Sequence, residues 1–482
     1  MGLVGIFVAL GLLIWLSFRG WSVLLLAPAV AIVAATFAGE PLLAHWTQTF
    51  MGSAAQFIAQ FFPIFLLGAL FGKLMDDSGS VNAIAQFMSA KFGPRRAILA
   101  VVLAGALVTY GGVSLFVAFF VLAPMARELF RAANIPHRLM PATIALGTST
   151  FTMSAMPGTP AIQNTIPMPF FGTTPFAAPG LGLVAAAIML AFGLWWLGRA
   201  EKVARKVGEG YDAESGTAAA ADDQFIRERA TSSHEFDPAE IAHGKRSAVS
   251  PPIGMAIVPL IVVVAVNLAM SLLILPRLDF SFLAQQRWGE TSLAGVAGVW
   301  SVAVALAAAS ATLVALNRAR LPALRSSMDA GANAAVLPIF SVASLVGFGA
   351  VVAALPAFAL VRDWVLSISG GPLVSLAIAT NVLAAVTGSA SGGLTIALDA
   401  LGDTYLQIAQ TSHIDPGLMH RIAVIGSGTL DSLPHNGAVV TLLAVCGSTH
   451  RKSYFDMVMA NIVGPIIALA VVIALGSTLG SF

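Results

Sequence analysis

The sequence predicts an all-α polytopic membrane protein made of two inverted repeats, each with about five transmembrane helices and one re-entrant hairpin. Three observations predict it. Only 10% of the 482 residues are charged and 57% are hydrophobic, whereas a soluble domain carries about 25% charge. The charges are confined to short stretches between long uncharged runs. Polar, glycine-rich motifs interrupt four of those runs, at matching places in the two halves.

The composition excludes several classes. There is too little charge to cover a water-soluble enzyme, and too much hydrophobicity for a disordered chain. With 45 Gly and 25 Pro in no regular period, the chain is not fibrous. A net charge of +2 gives no reason to expect a nucleic-acid partner. A single cysteine, Cys446, permits neither an intrachain disulfide nor a thiolate metal cage, and no metal site or cofactor is expected.

Residues 1–18, 20–39, 41–72, 97–126, 139–198, 247–276, 291–317, 330–361, 364–398, 432–450 and 457–482 contain no Lys, Arg, Asp or Glu. A bilayer core needs roughly 20 apolar residues per helix. The run 139–198 therefore holds two crossings with a turn between them. The first run is not read as a signal peptide, because no basic region precedes it and Arg19 follows it. The hydrophilic stretch from Arg199 to Arg246 holds eight basic and ten acidic residues. It reads as a linker.

The segment 135–150, IPHRLMPATIALGTST, aligns with 414–429, IDPGLMHRIAVIGSGT, pairing Leu139 with Leu418, Met140 with Met419, Gly147 with Gly426 and Thr150 with Thr429. Pro157 then matches Pro434 and Ala161 matches Ala438, while TYGGVS (109–114) faces TGSASGG (387–393). The expected organisation is a first repeat over 1–198 (hairpin 97–126, broken helix 139–166), a linker over 199–250, and a second repeat over 251–482 (hairpin 364–398, broken helix 422–446).

Charge decides the topology. If 97–126 crossed the membrane once, the basic clusters at its two ends would face opposite sides, against the positive-inside rule. As a re-entrant hairpin it returns to the same side. Five crossings per half then require the second half to be inverted. This places 21 of the 25 Lys and Arg residues on the cytoplasmic side and four, Arg277, Arg287, Arg362 and Arg421, outside. The linker is expected in the cytoplasm and both termini on the outer side of the membrane.

Polar backbone at membrane depth is costly unless it lines a protein cavity. The hairpin tips and the breaks at Met156–Pro160 and Leu433–Gly437 meet that condition. Broken helices leave unpaired N–H groups whose partial charge attracts anions. The candidate substrate-binding residues are Thr109, Gly111, Gly112, Ser114, Gly158, Thr159, Thr387, Ser389, Ser391, Gly392 and Asn436. Any one small residue could instead serve helix packing; four breaks paired across a repeat favour a shared site. No Lys or Arg is expected to be buried, which favours a small monocarboxylate. Asp431 is the acid inside the matched core, with His435 four residues on, and both are candidates for ion coupling. A helix-capping role for Asp431 is the competing reading. Either a proton or sodium would serve as coupling ion.

The runs FFPIFLLGALFGKLMDDSGS (61–80), TYGGVSLFVAFFVLAPMARELFRAANIPHRLMP (109–141), GTSTFTMSAMPGTPAIQNTIP (147–167) and GSGTLDSLPHNGAVVTLL (426–443) resemble the gluconate:proton symporter family, the GntP permeases, within the ion-transporter superfamily. They are most similar to the branch that carries short hydroxy acids such as 3-hydroxybutyrate. The resemblance implies proton-coupled symport of a small hydroxy-monocarboxylate, an elevator-type motion and a homodimer. The superfamily's Ser-Asn-Thr tip triplets are replaced here by Gly112-Val-Ser114 and Ser389-Ala-Ser391. A sodium-coupled carboxylate carrier of the same fold and a passive anion channel compete with the proton-coupled carrier. A membrane-embedded enzyme is disfavoured, since GSGTLD lacks a Gly-x-Gly-Asp spacing and no His/Glu metal motif occurs.

Overall fold

The computed structural model describes residues 1–19, 21–211, 247, 249–434 and 436–482. No strand occurs among them. The first half contains α1 (Gly2–Phe18), α2 (Val23–Ala38), α3 (Leu42–Asp77), α4 (Ser80–Phe92), α5 (Ala97–Tyr110), α6 (Leu115–Ala133), α7 (Met140–Thr148) and α8 (Pro179–Lys206). The second contains α9 (Ile253–Arg277), α10 (Leu293–Arg320), α11 (Leu324–Ala354), α12 (Phe358–Leu366), α13 (Gly371–Thr387), α14 (Ala390–Thr411), α15 (Pro416–Ser427), α16 (Gly437–Cys446) and α17 (His450–Leu479). Among the described residues, six helices (α3, α8, α9, α10, α11 and α17) are long and apolar enough to cross a membrane, or seven if one sharply bent pair is a single span. That pair, Ser80–Phe92 and Pro94–Tyr110, turns by 100°. Gly93 makes the turn at φ +61, a conformation that favours glycine.

The packing sorts the helices into two bundles. In one, α3 packs on α11, α10 packs on α3, α2 packs on α11, and α1–α2 and α9–α10 form pairs. In the other, α5 packs on α6 and α7, α13 packs on α14 and α15, and α8 lies against α17. The two glycines aligned above, Gly147 and Gly426, both sit at close helix contacts. A Cβ on Gly147 would stand 2.5 Å from the Val102 carbonyl oxygen of α5, and one on Gly426 would overlap Thr380 Oγ1 of α13. Glycine lets each pre-break helix press against the hairpin arm beside it.

Several boundaries differ from the sequence reading. The arms of the hairpins extend past 97–126 and 364–398, because α6 runs on to Ala133 and α14 to Thr411 with their charged residues still helical. Short α4 and α12 precede the hairpins; a search for uncharged runs does not detect them. The helices after the hairpins stop before their prolines. α7 ends at Thr148 and α15 at Ser427. At these ends side-chain hydroxyls bond back to helix carbonyls: Thr148 to Ile144 O (2.8 Å), Thr150 to Leu146 O (2.6 Å) and Thr429 to Ile425 O (2.7 Å). Most of the predicted linker, residues 212–246 and 248, lies outside the described residues. Its beginning is ordered structure. α8 continues to Lys206, Arg138 binds Glu209 at 2.7 Å, and Tyr211 N donates to Asn134 Oδ1 at 2.9 Å.

Two cations assigned to loops are buried, so the expectation of no buried base is wrong. Lys73 is 1% exposed and pairs with Asp77 at 3.0 Å, whose other oxygen accepts from Ser327 Oγ. Arg421, counted as an outer charge, lies within α15 at 0% exposure. Local sequence records the presence of a charge; its depth depends on acceptors supplied by distant segments.

Candidate functional site

A cavity of about 210 Å³ lies where the two bundles meet. One bundle contributes α3 (Ile64, Phe65, Gly68) and α11 (Ala335, Pro338, Val342). The other contributes the first hairpin tip (Thr109, Gly112, Ser114), the first break (Thr148, Pro160, Gln163) and Ser391 from the second tip. The wall is mostly apolar with a few polar groups, the usual makeup of a small-molecule site.

The donors in this cavity are unequal. Thr109 donates to Gly105 O at 2.9 Å and lies 3.1 Å from Thr152 Oγ1, and Thr148 donates to Ile144 O at 2.8 Å, so neither hydroxyl is unengaged. Ser114 is the N-cap of α6 and makes no side-chain capping bond. Ser114, Leu115 and Phe116 all line the cavity, so the N-terminal end of α6 forms part of its wall. The other two helix starts are closed. Ser389 accepts from Gly392 N at 3.2 Å on α14, and Asn436 accepts from Val439 N at 3.1 Å on α16. The start of α6 is thus a helix N-terminus at this wall without a side-chain cap, the kind of helix end that attracts anions. Ser391, whose hydroxyl lies 3.2 Å from that of Ser389, offers a second polar contact across the cavity.

The remaining candidates have other places. Gly111 abuts α9, where an added Cβ would overlap Leu260 Cδ2. Gly158, at φ +79, turns the chain under the Phe176 ring, and its carbonyl accepts from Asn267 at 3.0 Å. Thr159 is fully buried in the same loop and accepts from Ala161 N. Thr387 closes the end of α13 by donating to Leu383 O at 2.8 Å, and Gly392 packs against Leu345 of α11. These five residues shape the tips and breaks without lining either cavity.

Each tip is tied to the break that follows it. Tyr110 OH donates to Pro157 O at 2.8 Å, and Asn436 Nδ2 donates to Gly388 O at 2.8 Å. Asn436 and Asp431 line a second, smaller cavity of about 20 Å³ that shares Leu115, Met153 and Gln163 with the first. Asp431 is 7% exposed there and accepts from Ser432 Oγ at 3.3 Å. Ser149 and Asn461 are further polar residues of its wall. His435 lies outside the described residues.

Sequence reasoning missed Gln163, which lines both cavities. It lies in the first break motif, but the second half has Val440 at the matching position, so repeat pairing gave no signal. A group of three or more His, Cys, Asp or Glu side chains able to hold a metal does not occur among the described residues.

Comparison with known proteins agrees with this architecture. Residues 1–174 match the family of GntP family permeases. The chain is 42% identical over 479 residues to the uncharacterized transporter YxjC of Bacillus subtilis (strain 168), covering 98% of each protein. It is 35% identical over 105 residues to the high-affinity gluconate transporter of Escherichia coli (strain K12), which covers 21% of this chain and 23% of that protein. In fold it is similar to Neisseria gonorrhoeae MtrF, described as illuminating a class of antimetabolite efflux pumps. The TM-score is 0.53 at 14% identity, over 90% of this chain and 85% of that one.

Proposed function

This chain belongs to the GntP permease family of multi-pass membrane transporters, and from that premise we propose that it carries a short hydroxy-monocarboxylate by proton-coupled symport across the bacterial inner membrane. The observation that carries the substrate class is the cavity itself. One uncapped helix start and a few side-chain polar groups sit in a largely apolar wall. A carboxylate at the first turn of α6, one hydroxyl near Ser391 or Gln163, and a short alkyl part against Phe65 and Val342 would satisfy that wall. A polyhydroxylated sugar acid would leave several hydroxyls facing carbon, each unmade hydrogen bond costing about 1–3 kcal/mol. Among gluconate-type acids and 3-hydroxybutyrate-type acids, the geometry favours the second.

We read the two halves as inverted repeats. Corresponding helices make corresponding contacts, α2 with α11 as α10 with α3, and α5 with α7 as α13 with α15. α5 holds 14 residues, so at 1.5 Å per residue it is about 21 Å long, less than a bilayer core of about 30 Å. That length suits a re-entrant arm. An elevator motion is supported by the contacts of Gly111 with Leu260 and Gly392 with Leu345, where glycines of the hairpin bundle meet the other bundle. A homodimer, with the linker in the cytoplasm and both termini in the periplasm, completes the proposal.

Thermal unfolding of the purified protein with C3 to C6 acids tests the substrate class. 3-Hydroxybutyrate should raise the midpoint by mass action, and gluconate at the same concentration should raise it less. A larger shift with gluconate would reverse the assignment. Counterflow in proteoliposomes should show trans-stimulation by unlabelled 3-hydroxybutyrate; a passive pore would show none. Ser114→Ala and Ser391→Ala should each weaken binding by about 3–10-fold, the cost of about one hydrogen bond, while Thr387→Ala leaves it within twofold.

A further inference from the structure

Arg421 is a fully buried cation without an acidic partner among the described residues. Its Nε and Nη2 donate to Ala177 O at 3.1 and 2.8 Å, and Nη1 donates to Asn164 Oδ1 at 3.3 Å. These acceptors are neutral dipoles, so three hydrogen bonds hold the guanidinium while its charge stays uncompensated. His420, beside it, binds Thr173 Oγ1 at 2.6 Å and Asn164 Oδ1 at 3.2 Å and adds no negative charge. The space is kept open for the guanidinium: a Cβ on Gly182 would come within 3.2 Å of Arg421 Nε and 2.5 Å of Ala155 O.

Burying an unpaired charge is expensive unless something repays it. The position of Arg421 shows what that is. Asn164 follows cavity-lining Gln163 in the chain, and its Nδ2 donates to Thr159 O and Pro175 O at 3.0 Å, fixing the break loop. Tyr110, at the first hairpin tip, holds the same loop by donating its OH to Pro157 O. The cation thus stands behind the loop that walls the cavity, on the side of the tip.

We propose that Arg421 is the counter-charge for the anionic substrate, acting through the break loop 157–164 by its field and not by contact. The proposal rests on the carboxylate reading above and deepens it. It assigns to Arg421 the preference for an anion over a neutral molecule of the same shape.

The test compares 3-hydroxybutyrate with its neutral amide, 3-hydroxybutyramide, by equilibrium binding to the full-length protein in nanodiscs. The wild-type protein should prefer the acid. Arg421→Gln should reduce that preference about tenfold with little change in amide affinity, and Arg421→Lys should restore most of it. Because Arg421→Gln removes a buried fork of hydrogen bonds and could fail to fold, Asn164→Asp provides an independent route. It places a carboxylate against the intact guanidinium and cancels its charge; because it also gives up the two Nδ2 bonds to Thr159 O and Pro175 O, amide affinity reports the loop and the acid-over-amide ratio, which should fall to the same degree, reports the charge. Folded Arg421→Gln or Asn164→Asp proteins that keep the wild-type preference would overturn the proposal and leave the carboxylate reading intact. So would equal weakening of acid and amide, which marks a structural role. A wild-type protein that binds neither probe removes the carboxylate reading, and this proposal with it.

Discussion

Asp431→Asn is expected to abolish uphill uptake driven by a pH gradient while sparing exchange. In proteoliposomes loaded with unlabelled 3-hydroxybutyrate, counterflow by the variant should stay within a few-fold of wild type. Accumulation against a concentration gradient should fall to the equilibrium level. The reason is local. Asp431 is 7% exposed in a small polar cavity that shares Gln163 with the main one, so a proton bound there and a substrate bound next door are neighbours. Asparagine has nearly the shape of the protonated acid but cannot release a proton. The transporter would then shuttle loaded substrate without coupling. An ionisable side chain at membrane depth is the kind of group that can carry a proton with the substrate. Full retention of the pH-gradient dependence would reduce Asp431 to a cap on the broken helix. The sodium scheme would then be tested by replacing external sodium with choline.

The second large effect concerns folding. Gly147→Ala should lower the thermal midpoint in detergent markedly, corresponding to about 1–3 kcal/mol, with a parallel loss of functional protein. The added Cβ would meet the Val102 carbonyl oxygen at 2.5 Å and Val102 Cα at 3.0 Å, both backbone atoms that cannot rotate away. The repeat-matched Gly426→Ala should cost less. Its nearest obstacle is Thr380 Oγ1, the end of a side chain that can change rotamer after giving up its bonds to Leu376 O and Ala377 O. A midpoint for Gly147→Ala equal to wild type would show that α7 does not press on α5 as described. A larger loss for Gly426→Ala than for Gly147→Ala would reverse the order of rigidity argued here.

These expectations draw on different sources. That the chain is membrane-embedded, that TYGGVS and TGSASGG lie between apolar arms, and that helical order fails at Met156–Pro160 were all legible in the residue order; the earlier stop at Thr148 was not. Each depends on local properties: transfer free energy summed over a window, the missing N–H of proline, and the conformational range of glycine. The match of Gly147 with Gly426 was legible too, and the structure gives both the same task. Arg421 was misread for the opposite reason. Nothing in PGLMHRIAVIG shows that Ala177 and Asn164, some 250 positions earlier, will turn their oxygens toward it. Gly111 and Gly392 were likewise visible as close-approach residues, but not what they approach.

From its sequence alone the protein declares its solvent and the points where its helices give way, because hydrophobicity and backbone propensity belong to short stretches of chain. Which of those points share one cavity, which merely pack, and which buried cation stands behind them were decided only by the tertiary structure. Hydrogen-bond acceptors and cavity walls are assembled from segments of both halves, and their mutual positions depend on how whole helices pack together.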